Sequence, residues 1–317
     1  MHIRMITPAP AHSRKGNRIS ALRWARLLRQ LGHRVSLSQQ YAGESCGLLV
    51  ALHAKRSHPA IAAYRQAFPD APLIVVLTGT DVYRDIQHDD GARASLAMAG
   101  RLIVLQPLAI GELPARHRAK ARVIPQSAPA PRSRPEPSRR AFEVSVVGHL
   151  RPVKDPFLAA EASRRLPPES RIRVIHLGAA LEPGMEERAR REMAENPRYR
   201  WLGEKPRWYT RRRMAASRVM VLSSIMEGGA NVVSEAIVAG VPVLASSIPG
   251  SIGMLGGDYP GYFPVGDAEA LASLLLRCEG DAGFLADLTR RVTRLAPQYT
   301  PERERQAWAE LLAELIG

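Results

Sequence analysis

Two glutamates lie eight positions apart in the second half of the sequence, on either side of a glycine-containing turn. They are Glu227 and Glu235, in the segment Glu-Gly-Gly-Ala-Asn-Val-Val-Ser-Glu. If a helix begins near Asn231, its first backbone N–H groups can receive a diphosphate, and Glu235 lies about one turn inside that helix. Two acceptors that flank an anion site suit a ligand with hydroxyl groups on both sides of a diphosphate, as in a nucleotide sugar. The alternative is that Gly228-Gly229 form an ordinary turn and both glutamates are solvated.

The predicted elements around this segment favour the ligand site over the ordinary turn. An apolar strand, Val219–Leu222, runs towards Glu227, and the predicted helix Asn231–Val238 leads into the strand Val241–Ala245. In open α/β sheets, ligands bind beyond the carboxyl ends of the strands. We therefore expect both glutamates at a binding edge of a sheet.

The rest of the chain alternates short apolar runs with helical patterns, which predicts βαβ units and parallel sheets. Residues 128–140 hold four prolines among Ser and Arg, as is typical of a linker. We expect an N-terminal domain over residues 1–128, a linker over 129–140, a second domain over 141–298 and a final helix over 299–317. The predicted strands are His2–Thr7, Arg34–Ser38, Gly47–Leu52, Leu73–Leu77, Leu102–Leu105, Ala121–Ile124, Glu143–Val147, Ile172–Leu177, Val219–Leu222 and Val241–Ala245. The predicted helices are Asn17–Leu31, Ser57–Phe68, Ala92–Ala99, Phe157–Arg165, Glu182–Glu195, Pro206–Ala216, Asn231–Val238, Ala268–Glu279 and Pro301–Ile316.

The segments Ala216–Ala245 and Gly148–Pro156 resemble the glycosyltransferase family 4-like superfamily of GT-B architecture. The resemblance implies an α/β fold with two Rossmann-like domains facing a cleft. It implies that Glu227 contacts the donor sugar and Glu235 the ribose hydroxyls. The backbone of the intervening residues would hold the diphosphate; these residues are Gly228, Gly229, Ala230, Asn231 and Val232. In this family the final helix often braces the first domain.

The segment Gly148–Pro156 departs from the family pattern at one position. The family has Gly-Arg there with a lysine several residues later, and both cations bind the diphosphate. Lys154 matches the lysine, but His149 stands at the arginine position, so either Arg151 or His149 would supply the second charge. Gly178, after the strand Ile172–Leu177, either lets the backbone approach the nucleobase or simply forms a turn.

The chain more narrowly resembles the selenosugar synthases of selenoneine biosynthesis. Four stretches carry the resemblance: Pro10–Arg18 with Ala21–Ala25, Leu49–Ser57, Leu77–Tyr83, and Gly148–Pro156 with Met226–Asp267. It implies transfer of the sugar of a UDP-sugar, UDP-GlcNAc or UDP-glucose, to the selenium of selenophosphate. A C–Se bond forms, and UDP and phosphate are released. UDP-sugar and selenophosphate are then the partners, with no metal and no other cofactor.

Basic loops of the N-terminal half are the candidate site for an anionic acceptor. Between the first strand and first helix, Lys15 and Arg18 could bind a phosphate, Gly16 permits close backbone approach and Asn17 could cap the helix. The alternative is a solvated turn.

Two further loops follow predicted strands on the same side. Thr80 and Asp81 follow Leu73–Leu77, and Asp81 either orients Arg84 or caps a helix. Lys55 and Arg56 follow Gly47–Leu52, where they could clamp a phosphate. In the second half, the run Arg211-Arg212-Arg213 is most simply read as a solvated helix face.

Composition limits the function classes. The net charge is +15, and residues 1–140 hold 22 Lys and Arg against 8 Asp and Glu, so nearly all the excess lies there. Two cysteines are too few for a disulfide framework, and no apolar run approaches the roughly 18 residues of a membrane span. We expect a cytoplasmic enzyme with no stable membrane insertion and no nucleic-acid partner.

Two alternative functions remain. One is a sugar transferase to a lipid or polysaccharide, and the other is a basic nucleic-acid-binding protein, although the sequence lacks a clear reading helix. The preferred sugar, the product's anomeric configuration and the oligomeric state stay open.

Overall fold

The computed structural model describes residues 1–13, 16–131 and 135–316. The strands of the first half are β1 (His2–Ile6), β2 (Arg34–Ser38), β3 (Leu48–Leu52), β4 (Leu73–Val76), β5 (Arg101–Val104) and β6 (Ala121–Val123). Those of the second half are β7 (Phe142–Val147), β8 (Ile172–Leu177), β9 (Tyr199–Trp201), β10 (Val219–Leu222), β11 (Val243–Ser246) and β12 (Tyr262–Phe263).

The α-helices lie between and after these strands. They are α1 (Gly16–Gln30), α2 (His58–Ala67), α3 (Ile86–His88), α4 (Asp90–Met98), α5 (Ala115–Arg118), α6 (Leu158–Arg164), α7 (Met185–Glu195), α8 (Arg207–Ala215), α9 (Asn231–Val238), α10 (Pro249–Leu255), α11 (Ala268–Gly280), α12 (Ala282–Leu295) and α13 (Pro301–Ile316). One π-helical turn covers Asp81–Asp85, and 3₁₀ turns cover Pro107–Ile110, Pro152–Lys154 and Ala296–Tyr299.

The chain divides into two compact units. The first consists of Met1–Ser127 together with Glu227–Gly229 and the C-terminal helix α13. The second consists of Ala128–Met226 and Ala230–Thr300. The short segment Glu227–Gly229 therefore groups with the first unit, although the sequence places it inside the second domain.

The first unit is built on a six-stranded parallel sheet with the order β2-β1-β3-β4-β5-β6. Every residue of β3 and β4 is buried, because strands in the middle of a parallel sheet are covered on both faces and are therefore apolar throughout. One core cluster contains Tyr64, and the other contains Trp24 and Trp308.

Helix α13 belongs to the second of these clusters. The rings of Trp24 and Trp308 meet edge to face, with centroids 5.5 Å apart. Beside them the buried carboxylate of Glu304 accepts hydrogen bonds from Trp24 Nε1 at 2.6 Å and from the Ser127 backbone at 3.1 Å, and it pairs with Arg23 at 3.0 Å. A buried charge with this many partners fixes the helix on the first unit.

The second unit is built on a parallel sheet with the order β12-β11-β10-β7-β8-β9. Its central strands β7, β10 and β11 pack against α9, α11 and α12 in one large apolar core. Each sheet reverses its strand order once, between β1 and β3 in the first unit and between β7 and β10 in the second. These two points are the positions at which doubly wound sheets bind ligands.

Several elements differ from the sequence prediction. The sequence pattern did not identify β9 and β12, which have three and two residues, nor α10 and α12. Helix α7 begins at Met185 and not at Glu182, because Gly184 precedes it with a φ of 75°. Strand β11 begins at Val243, two residues later than predicted.

Candidate active site

The predicted donor loops follow the two strands that flank the reversal point of the second sheet. The loop Gly148–Pro156 follows β7, and the segment from Ser223 to Asn231 follows β10. Hydrogen bonds to the backbone join them. The Ser223 hydroxyl shares its proton between the carbonyls of Lys154 at 3.0 Å and Asp155 at 2.8 Å, and the Ile225 N–H donates to Val153 O at 2.9 Å. The backbone at Lys154 is therefore held against the loop that leads to Glu227.

His149 contributes to the joining of two loops. Its Nδ1 accepts the backbone N–H of Ala179 at 3.0 Å, which links the loop after β7 to the loop after β8. Gly178 lies at the same junction, where a Cβ would come within 1.9 Å of the Gly148 carbonyl oxygen. Glycine is thus required at position 178 by the packing of one backbone on another, and this close approach is to Gly148.

Arg151 lies at the 3₁₀ turn and has an acidic neighbour. Its Nε is 3.8 Å from Glu182 Oε1, and both side chains are more than one-third exposed. Such a pair in contact with solvent is weak, so the guanidinium can exchange this partner for another anion.

A buried histidine beneath the loop supports Gly148. His176 Nε2 is 3.1 Å from the Gly148 carbonyl and Nδ1 is 2.9 Å from the Tyr199 hydroxyl. Because a carbonyl oxygen can only accept, Nε2 carries the proton and Nδ1 accepts from Tyr199. Burial lowers the pKa of His176 from 6.5 to about 4, so the ring is neutral at physiological pH. The sequence pattern gave no sign of this role.

Helix α9 begins at Asn231, as predicted, at the carboxyl end of β10. Its N-cap residue is Ala230, which makes no side-chain cap hydrogen bond. A helix N-terminus that is not capped by its own N-cap side chain suits an anion, because its first N–H groups point outwards. Asn231 and Val232 in the first turn are partly exposed.

Glu235 lies on the second turn of α9 and is buried, with 7% of its surface exposed. Its Oε1 accepts from Arg207 Nε at 3.1 Å and Nη2 at 2.7 Å, and Arg211 Nε is 3.9 Å away. Arg211 also donates to the carbonyl of Pro129, and burial lowers its pKa. The expectation of a solvated face for the run Arg211–Arg213 is therefore wrong at Arg211. It holds at Arg212, which is exposed.

The segment Glu227–Gly229 packs on loops of the first unit. A Cβ at Gly228 would lie 2.5 Å from the Thr78 carbonyl oxygen and 2.7 Å from the Gly79 nitrogen. A Cβ at Gly229 would lie 2.6 Å from Leu105 Cβ. Both glycines are thus required by close packing, which explains the Gly-Gly pair without reference to a ligand. Glu227 itself is partly exposed.

Asp81 organises two loops of the first unit. Its Oδ1 accepts the backbone N–H groups of Thr78 and Gly79, each at 2.8 Å, and its Oδ2 accepts that of Ala54 at 3.1 Å. The carboxylate is completely buried. The sequence suggested that Asp81 orients Arg84 or caps a helix, and both interpretations are wrong. Its carboxylate instead accepts backbone N–H groups from its own loop and from the loop after β3.

His53, next to this carboxylate, has a φ of 74°, which is unusual for a residue with a Cβ. Its Nδ1 accepts the Arg56 N–H at 3.4 Å, so its Nε2 donates to Thr80 Oγ1 at 3.1 Å. Burial lowers the pKa of His53, although Asp81 and Asp85 nearby oppose that shift. Thr80 is thereby held in place by the loop that carries Lys55 and Arg56.

The basic residues predicted to bind the acceptor have different surroundings. Lys55 Nζ pairs with Asp89 Oδ2 at 2.9 Å on the surface, and Arg56 is exposed. Helix α1 begins at Gly16, so Asn17 lies within its first turn and is not the cap residue that the sequence suggested. Arg18 is partly buried in that turn, at the carboxyl end of β1. Lys15 lies outside the described residues.

Metal-binding clusters and membrane-spanning helices are both absent from the described residues. In the ranges 1–13, 16–131 and 135–316, no group of three or more His, Cys, Asp or Glu side chains is placed to hold a metal ion. No helix in those ranges is both long and apolar enough to cross a membrane.

The fold is shared with solved glycosyltransferase structures. Alr3699/HepE of Anabaena, solved in complex with UDP, is 17% identical with a TM-score of 0.78, over 99% of this chain and 100% of that chain. Sucrose-phosphate synthase of Thermosynechococcus elongatus is 18% identical with a TM-score of 0.80, over 99% and 98% of the two chains. A glycosyltransferase of Rickettsia africae is 12% identical with a TM-score of 0.78, over 99% and 98%. The predicted fold class, two Rossmann-like α/β domains of the GT-B type, is confirmed.

The sequence itself carries the family assignment. No curated protein matches the chain significantly. The profile of the family described as "Glycosyl transferases group 1" matches residues 132–294, which is more than half of the chain. The protein therefore belongs to the group 1 glycosyl transferases.

Proposed function

We propose that this glycosyltransferase joins the sugar of a UDP-sugar to the selenium of selenophosphate. Selenium attacks the anomeric carbon, the bond from that carbon to the UDP oxygen breaks, and UDP leaves. Water then cleaves the P–Se bond, which releases phosphate and leaves a 1-selenosugar.

The observation that carries the donor half of the proposal is the position of Glu235. It is a buried carboxylate on the helix that follows β10, at the reversal point of the second sheet. A ribose diol needs an acceptor of this kind, and the start of α9 lies about one turn away to receive the diphosphate. That HepE was solved with UDP and with UDP-glucose supports a UDP-sugar as donor.

The chemistry that these residues can supply is stabilisation of the leaving group. Negative charge develops on the departing diphosphate, and we assign three groups to offset it: Lys154, Arg151 and the N-terminus of α9. Glu227 is assigned to the sugar. A selenium anion is already a strong nucleophile, so the reaction needs no general base. We expect no metal requirement, and full activity in EDTA would support this.

Basic residues in the first unit support an anionic acceptor. Arg18 lies in the first turn of α1, after β1, and His53 links the Arg56 backbone to the Thr80 hydroxyl. The loops that carry Arg18 and Arg56 follow β1 and β3, the two strands at the reversal point of the first sheet. Selenophosphate is small and strongly anionic, so cationic loops of this kind suit it.

A lipid or polysaccharide acceptor is the second candidate. Its support is a structure of the same fold, the lipopolysaccharide outer core galactosyltransferase WaaB, which is 12% identical with a TM-score of 0.70. The same donor site would serve both reactions, so only the acceptor distinguishes them.

The test is mass spectrometry of the purified protein incubated with UDP-GlcNAc or UDP-glucose and freshly made selenophosphate under reducing conditions. We expect UDP together with a product that has the mass of a selenosugar and the isotope pattern of selenium. Glu227→Gln should abolish that product, whereas Glu302→Gln on the surface of α13 should not. Binding of UDP-sugar without any selenium product from either donor would reject selenophosphate and leave the second candidate.

A further inference from the structure

Two arginines of α8 reach the same oxygen of Glu235. Arg207 donates to Oε1 through Nε at 3.1 Å and through Nη2 at 2.7 Å, and Arg211 Nε lies 3.9 Å from that oxygen. In the part of the chain that the structure describes, no hydrogen bond reaches Oε2. The carboxylate therefore has one oxygen that protein groups occupy and one that a ligand can use.

This pair differs from an ordinary surface salt bridge in its burial. The Glu235 side chain is 9% exposed, whereas that of Arg207 is 48% exposed. A pair with both partners in water contributes little, but a buried carboxylate needs a partner to remain charged and in place. Two hydrogen bonds from one guanidinium to one oxygen also restrict rotation of the carboxylate.

Arg211 is itself anchored. It donates to the Pro129 carbonyl, and its side chain is 22% exposed. Arg207 and Arg211 are four positions apart and so lie on the same face of α8. The helix thus presents two cations to a single carboxylate.

We propose that Arg207 is a positioning residue for nucleotide recognition, which holds Glu235 so that Oε2 accepts a hydrogen bond from one ribose hydroxyl. Arg207 acts through Glu235 and makes no contact with the nucleotide. Arg211 is the second cation that offsets the buried charge. This inference rests on the proposed function, because it takes Glu235 to be the ribose ligand.

The first experiment measures binding of UDP by calorimetry to Arg207→Gln, Arg207→Lys and Arg212→Gln. Arg212 lies on the same helix but is exposed, so Arg212→Gln makes the same charge change as a matched control. We expect Arg207→Gln to weaken UDP binding about tenfold, Arg207→Lys to recover part of the loss, and Arg212→Gln to stay within about twofold. Equal affinities of the Gln variants at positions 207 and 212 would overturn the proposal.

The second experiment asks whether Arg207 acts through Glu235. In a Glu235→Ala background, Arg207→Gln should cause no further loss of UDP affinity, because the group that it positions is gone. A full additional loss would mean that Arg207 contacts the nucleotide directly, which contradicts the proposal. One of 2′-deoxy-UDP and 3′-deoxy-UDP should bind the wild-type protein and Arg207→Gln equally, since it lacks the hydroxyl that Oε2 would accept.

These outcomes are distinguishable from failure of the proposed function. If the wild-type protein does not bind UDP, both the proposed function and this inference fall. If it binds UDP and shows the predicted coupling but makes no selenosugar, the positioning role stands and only the acceptor assignment falls.

Discussion

The buried carboxylate of Asp81 accepts the backbone N–H of Ala54 at 3.1 Å, across 27 positions of sequence. The same carboxylate accepts two N–H groups of its own loop, from Thr78 and Gly79. One side chain therefore fixes the loops that follow β3 and β4, which are neighbours in the sheet. Those loops carry Lys55, Arg56 and Thr80, the residues that we assign to the acceptor.

Asp81→Ala should destabilise the protein by roughly 3–5 kcal/mol, because three buried N–H groups lose their acceptor. Asp81→Asn should cost nearly as much, since an amide can accept on one side only and its NH₂ would face a backbone N–H. The measurement is urea denaturation. Asp90→Ala is the control, because its side chain is 95% exposed and pairs only with Arg93 in the described chain. A loss for Asp81→Ala no larger than for Asp90→Ala would contradict the role assigned to Asp81.

The pH dependence of stability should carry a contribution from His176. Its folded pKa is about 4, below the ordinary 6.5, so the unfolded chain binds a proton that the folded protein excludes. Stability from this group is therefore fully present above pH 6.5 and falls as the pH drops towards 4, by about 3 kcal/mol in total.

The difference between wild type and His176→Gln isolates this contribution. The variant should lack this part of the pH slope between pH 6.5 and 4, whereas His12→Gln, at an exposed position, should retain it. Parallel curves for wild type and His176→Gln would show that burial of His176 does not cause the slope. His176 supports the Gly148 carbonyl, and the folded protein protonates it only near pH 4, so a loss of UDP affinity through this residue should come near pH 4 and not near pH 6.5.

The sequence predicts features that adjacent residues determine, and it does not predict contacts between residues far apart in the chain. The spacing of Glu227, Asn231 and Glu235 identified a helix that the structure begins at Asn231, since strand, turn and helix signals are adjacent in the sequence. The partner of Glu235 was not identified, because Arg207 lies 28 positions away and meets it only through the packing of α8 on α9. The packing reason for Gly178 was missed because the residue that it approaches, Gly148, is 30 positions away, in the loop after another strand.

The C-terminal helix depends on a buried charge that can be tested directly. Glu304→Ala should destabilise the protein by about 3–5 kcal/mol, because Arg23 would remain buried without its carboxylate and Trp24 Nε1 would lose its acceptor. Glu302→Ala, two residues earlier and exposed, should change stability by less than about 0.5 kcal/mol. Denaturation curves give both values, and similar midpoints for the two variants would show that the Glu304 network contributes nothing.

The two substrates should depend on different residues. Arg18→Gln should raise the KM for selenophosphate about tenfold, because a partly buried cation in the first turn of α1 would be lost, while the Kd for UDP stays within about twofold. Arg26→Gln, exposed on the same helix, is the control for the change in net charge and should leave both values unchanged. Initial rates at varied selenophosphate, with calorimetry of UDP, make the comparison. A residue that serves only the acceptor has no effect on the binding of UDP alone. If Arg18→Gln weakened UDP binding as much as it raised the KM for selenophosphate, Arg18 would therefore not be an acceptor residue.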